Sequence, residues 1–116
     1  MTTPEIGTAV RGSKTGRPIM VALDLLGRRA ALRILWELRG DALTFRALQE
    51  AADTNPSLLN TRLKELREAG LVAHEGSGYL LTPAGRDLHA ALQPLSAWAQ
   101  AWGSRRTSKR SMINPR

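Results

Sequence analysis

Hydrophobic positions recur along most of this chain with a helical period, and the interruptions fall where helices can start or stop. "RPIMVALDLLG" places Ile19, Leu23 and Leu26 at helical spacing behind Pro18, which suits a first helical position because its missing N–H is no loss there. Gly27 ends or turns this helix. "RRAALRILWELRG" is a second helix in which Ala31, Leu32, Ile34, Leu35 and Leu38 leave little polar surface, so it belongs at the centre of the core. "ALT" at 42–44 is short and could be a small strand that pairs with a later hairpin. "FRALQEAA" forms a short helix with Phe45, Leu48 and Ala52 on one side, and "DTN" breaks it.

The most informative stretch follows. Asn55 is a good N-cap, Pro56 takes the first helical position, and the helix runs to about Ala69 before Gly70 stops it. Its length is roughly 21 Å. At about 100° per residue, Leu63 and Leu66 lie within about 40° of Leu59 and make the core face. Ser57, Thr61, Lys64 and Glu68 gather on the opposite side, with Asn60 and Arg67 on one flank and Arg62 on the other.

"LVAHEGSGYLLT" predicts a hairpin: Leu71 and Val72 open one strand, Gly76 to Gly78 turn, and Tyr79 to Leu81 form the other. Thr82 then caps and Pro83 begins a long helix to about Trp102. Its apolar stripe is Leu88, Ala91, Leu92, Leu95, Trp98, Ala99 and Trp102. Pro94 is expected to bend it, and Gly103 to end it. This stripe exceeds what a small monomer core covers, so it reads as a dimer seam shared with the helix from Pro18. The contributing positions are Ile19, Leu23, Leu92, Leu95, Trp98 and Trp102.

The fold class is therefore mainly α with a small β-hairpin. A short helix, a tight turn and a longer capped helix match the helix-turn-helix pattern, and the hairpin directly after them sits where a wing would. The expected organisation is a flexible arm over 1–16, one domain over 17–103, and a basic, disordered tail over 104–116.

Composition removes several classes of function. The 116 residues contain no cysteine, which excludes disulfides, thiolate catalysis and thiol sensing. His74 and His89 lack further ligands at metal spacing, so no metal or other cofactor is expected. No pair of carboxylates, nucleophile with base, or phosphate-binding glycine loop is evident, so the chain does not read as an enzyme. No signal-like or membrane-spanning apolar run is present, and a soluble cytoplasmic protein is expected.

The net charge of +7 first suggests nucleic acid. Its distribution changes that picture. Arg11, Lys14 and Arg17 against Glu5 give +2, and Arg105, Arg106, Lys109, Arg110 and Arg116 give +5. Segment 18–104, with nine bases and nine acids, is neutral. The folded part must be judged by where its charges sit.

At this point the sequence resembles the HxlR-type winged helix-turn-helix regulators of bacteria. The likeness rests on "RPIMVALDLLGRRAALRILWEL", "LTFRAL", "NPSLLNTRLKELREAGLV", "YLLTPAGRDL" and "LQPLSAWAQAW", which keep the family's order over about residues 17–102. It implies a homodimeric, DNA-binding transcriptional regulator without enzymatic activity, paired through its N- and C-terminal helices. Three features depart from the family. Arg17 stands where members often carry cysteine, so thiol-based sensing is not available. Ala30, in "GRRA", stands where tryptophan is usual, leaving a smaller core residue and either a cavity or space for a small-molecule effector. The hairpin is short and its tip carries Glu75 but no Arg or Lys, which speaks against a minor-groove contact.

In a helix-turn-helix the N-terminal part of the second helix meets base edges. Ser57, Asn60, Thr61 and Lys64 are the candidates for reading bases in duplex DNA, from a recognition helix over about 56–69. Thr44, Arg46, Asn55, Arg62 and Arg67 are candidates for phosphate. Arg28 and Arg29 are expected on the surface or in pairs within the chain. Two other readings stay open: a winged-helix protein-interaction module, and a nonspecific nucleic-acid binder driven by the basic tails.

Overall fold

The computed structural model describes residues 16–113, with side chains through residue 106. The expected arm and the end of the tail therefore lie mostly outside the described residues. Five helices and three short strands follow in the order α1 (Pro18–Leu26), α2 (Ala31–Glu37), β1 (Leu43–Thr44), α3 (Phe45–Ala52), α4 (Pro56–Glu68), β2 (Val72–Glu75), β3 (Gly78–Leu81) and α5 (Pro83–Ile113). The strands make one antiparallel sheet in the order β1-β3-β2. The short "ALT" segment does pair with the hairpin: Leu43 lies opposite Tyr79 and Thr44 opposite Gly78.

The core is assembled from the faces the periodicity marks. Ile34 and Leu38 of α2, Leu48 of α3, and Leu59 and Leu66 of α4 are its most deeply buried side chains. Leu25, Leu35, Ala52, Leu63, Val72 and Leu81 complete it. Burial of such aliphatic groups, worth about 1.5–3 kcal/mol each, holds the helices on the sheet.

Local chemistry sets the boundaries. The Thr44 hydroxyl caps α3 by accepting from the Ala47 amide at 3.1 Å, and Asn55 Oδ1 caps α4 by accepting from the Leu58 amide at 2.8 Å. Asp53 closes α3 in the left-handed region at φ 51°, which Asp tolerates better than most residues. Gly70 does the same after α4 at φ 78°. Its amide bonds back to the Arg67 carbonyl and the Leu71 amide to the Leu66 carbonyl, a Schellman ending.

Three boundaries differ from the sequence reading. Leu71 is spent on that helix ending, so β2 starts only at Val72. The hairpin turn is Gly76-Ser77, with Gly78 already paired to Glu75. And α5 does not stop at Gly103 but continues to Ile113. A single interior glycine costs a helix only about 1 kcal/mol, and the Arg- and Lys-containing segment after it has good helix formers. Pro94 lies inside this helix.

A close approach fixes where α5 begins. The Thr82 hydroxyl accepts from the Gly85 amide and donates to the Gly70 carbonyl, while the Thr82 amide bonds to the Leu71 carbonyl. A Cβ on Gly85 would lie 2.2 Å from that same Leu71 oxygen, so only glycine fits.

Candidate nucleic-acid interface

The α3–turn–α4 unit positions the candidate residues. The leucine face of α4 is buried, so its other face must point outward. Ser57, Asn60, Thr61, Lys64 and Arg67 are all exposed there. Ser57, Asn60, Thr61 and Lys64 are brought together on the first three turns, with no carboxylate among them. The Thr61 hydroxyl donates to the Ser57 carbonyl at 3.1 Å. Its proton is thereby used within the helix, and what it offers outward is an acceptor oxygen and a methyl group. Lys64 makes no hydrogen bond or ion pair among the described residues.

The phosphate candidates separate into two groups. Arg46, on the first turn of α3, is almost fully exposed and only 3.8 Å from a likewise exposed Glu50, a loose pair that leaves its guanidinium accessible. Thr44 and Asn55 are exposed and already serve as caps. Arg62 is different. Its Nε donates to the Arg29 carbonyl at 2.8 Å and its Nη1 to Glu65 Oε1 at 3.0 Å. Its side chain is 15 % exposed. These bonds use the Nε–H and one Nη1–H of its five donors and tie the side chain into the fold, unlike that of Arg46.

The reason lies in a cluster of which the sequence suggested only that Arg28 pairs within the chain. Glu65 of α4 is buried, and so is Arg28 in the α1–α2 junction; they meet at 2.7 Å between Oε2 and Nη1. Arg28 Nη2 reaches Asp24 of α1 at 3.1 Å. The signal was present but faint. Arg62 and Glu65 are three residues apart on one flank of the leucine face, where an ion pair can be drawn partly inside.

The wing carries no lysine or arginine. His74 and Tyr79 stack across it, centroids 4.1 Å apart and planes 8° from parallel, and Tyr79 also approaches Phe45 of α3 at 6.4 Å. The hairpin thus braces the helix-turn-helix rather than extending a basic tip. Beside the turn lies an open cleft of about 480 Å³ lined by Arg29, Ala30, Arg33, Asp53 and Asn55 among others. Ala30 sits half-buried in it, with a left-handed φ of 71°.

The seam candidates are laid open on α1 and α5. Ile19 and Leu23 of α1 and Leu95, Trp98 and Trp102 of α5 are each 45–60 % exposed. Leu92 differs, being half-buried against Leu35, Trp36 and Leu81. Among the described residues no group of three or more acidic or histidine side chains could hold a metal, and no helix is long and apolar enough to cross a membrane.

The sequence profile of the HxlR-like helix-turn-helix family matches residues 25–107. An uncharacterised HTH-type transcriptional regulator of Methanocaldococcus jannaschii is 25 % identical over 83 residues, 67 % of this chain and 78 % of that protein. Quinone-bound YodB from Bacillus subtilis superposes with a TM-score of 0.66 at 32 % identity, over 72 % of this chain and 97 % of its own. A transcriptional regulator of the MarR family from Enterococcus faecalis reaches a TM-score of 0.68 at 28 % identity, over 78 % of this chain and 89 % of its own.

Proposed function

The chain belongs to the HxlR-like helix-turn-helix family of DNA-binding transcriptional regulators and is not an enzyme, and from that premise we propose that it binds a near-palindromic operator as a homodimer. One α4 from each subunit enters a major groove, and the half-sites lie about 10 bp apart or a multiple of that. The observation that carries this reading is the exposed, carboxylate-free group Ser57, Asn60, Thr61 and Lys64 on a helix anchored by its leucine face. Arg46 and the α4 N-terminus, with its partial positive charge, hold flanking phosphates. Dimerisation is supported by the exposed Ile19, Leu23, Leu95, Trp98 and Trp102, which are otherwise costly to leave in water.

An effector, such as the quinone bound by the Bacillus subtilis relative, would act on this chain without thiol chemistry, because it has no cysteine. The open cleft beside Ala30 supports a non-covalent site, since it borders both the α1–α2 junction and the first turn of α4. A regulator of this kind works in the cytoplasm, where the DNA is.

Selection of binding sites from random duplex DNA tests the proposal. Enrichment of a two-fold symmetric site is the expected result. Salt-insensitive binding, or none, would favour a protein-interaction module instead.

A further inference from the structure

We infer that Asp24, Arg28, Arg62 and Glu65 are positioning residues that fix the direction of the recognition helix relative to the dimer-forming helix, and so set the half-site spacing the dimer accepts. The inference rests on the DNA-binding homodimer proposed above and deepens it.

The four side chains form a continuous series, Asp24 to Arg28 to Glu65 to Arg62, closed into a circuit on the junction by the Arg29 carbonyl. Asp24 belongs to α1. Arg28 lies in the α1–α2 junction and joins Asp24 to Glu65 of α4. The other oxygen of Glu65 takes Arg62, which returns to the junction through the Arg29 carbonyl. Each oxygen of the Glu65 carboxylate therefore holds one guanidinium, and α4 grips the junction through two residues, Arg62 and Glu65, on one flank. Rotating or sliding α4 against α1 breaks at least two charge-assisted bonds, which are short-ranged and directional.

Stability alone does not account for this circuit. Arg28, Asp24 and Glu65 have side chains only 4–7 % exposed. Burying charges is costly, and apolar side chains of similar volume commonly hold two elements together as well or better. Apolar packing does not supply a defined direction. Leucine against leucine tolerates small rotations, whereas a planar guanidinium whose N–H groups are aimed at two separate acceptors, as in Arg28 and Arg62, does not.

Direction matters here because of what the two helices carry. Leu23, adjacent to Asp24, is 57 % exposed on the seam side of α1. Thr61 and Lys64, adjacent to Arg62 and Glu65, are exposed on the DNA side of α4. In a homodimer the separation of the two recognition helices is the seam geometry plus twice the α1-to-α4 geometry, so any slack in the circuit is doubled at the DNA.

The test uses the full-length dimer as wild type, Glu65→Gln and Arg62→Met. Each is challenged with duplex libraries in which selected half-sites are separated by spacers of varied length. Wild type should prefer one spacer over its neighbours. Both variants should keep the same half-site sequence while that spacer preference falls about tenfold, the order of one misplaced hydrogen-bonded contact. Melting curves and light scattering verify folded dimers, and Arg62→Met, at the edge of the circuit, carries the test if Glu65→Gln does not fold. Unchanged spacer preference, or equal loss on every spacer, overturns the inference. A wild-type protein that enriches no half-site overturns the DNA-binding proposal itself, and this inference with it.

Discussion

Trp98 and Trp102 stack one turn apart on α5, their ring centroids 5.5 Å apart and planes 9° from parallel, on a face that the subunit leaves in solvent. Arg106 lies over the outer ring at 5.2 Å. A preassembled aromatic ledge of this kind loses little side-chain freedom when a partner covers it. Trp98→Ala should shift the monomer–dimer balance toward monomer by ~1–3 kcal/mol, the scale of a buried large side chain. Light scattering across a dilution series reads this directly, and an unchanged dimer would refute the seam.

Lys64 is the one cation among the four base-reading candidates. Lys64→Ala should weaken operator binding by ~1–3 kcal/mol and relax preference at one base position. Equal weakening on all sequences, with a shallower salt dependence, would make Lys64 a phosphate contact instead.

Gly85 has a different role, in packing α5 against Leu71. Because an added Cβ would fall against the Leu71 oxygen, Gly85→Ala must push α5 off the β2 entry. A loss of about 1–3 kcal/mol is expected from this overpacking, read as a lowered melting temperature. Gly103→Ala, with nothing within 4 Å of the new Cβ, should instead hold or raise it slightly.

Removing residues 105–116 takes away five positive charges that lie in the tail segment. Affinity should drop on all DNA and the salt dependence should flatten, while the preferred sequence stays the same. If the truncated dimer keeps no affinity at all, the tail rather than α4 carries binding, and the nonspecific reading replaces the one proposed.

Much of the fold is legible along the chain because it is decided by neighbours in sequence. The Asn55-Pro56 start, the leucine face at 59, 63 and 66, the Gly70 ending and the Thr82-Pro83 start each depend on residues within one or two turns. So does the outward polar face of α4, since burying the leucines leaves it nowhere else to point. The Gly103 ending shows the limit of such reasoning: a weak local penalty was outweighed by the helix formers beyond it, and α5 ran on.

What only the tertiary structure decided is which polar residues are spoken for. Arg62 has the same composition-level credentials as Arg46, yet one is anchored to Arg29 and Glu65 and the other faces solvent. Arg28 and Glu65 stand 37 positions apart, and no periodicity relates them. Their pairing exists because α1 turns back at Gly27 and brings the junction against the flank of α4. Hydrophobic pattern assigns each helix a face, but a charge on the edge of that face is buried or free according to what packs beside it. That neighbour is set by the path of the whole chain.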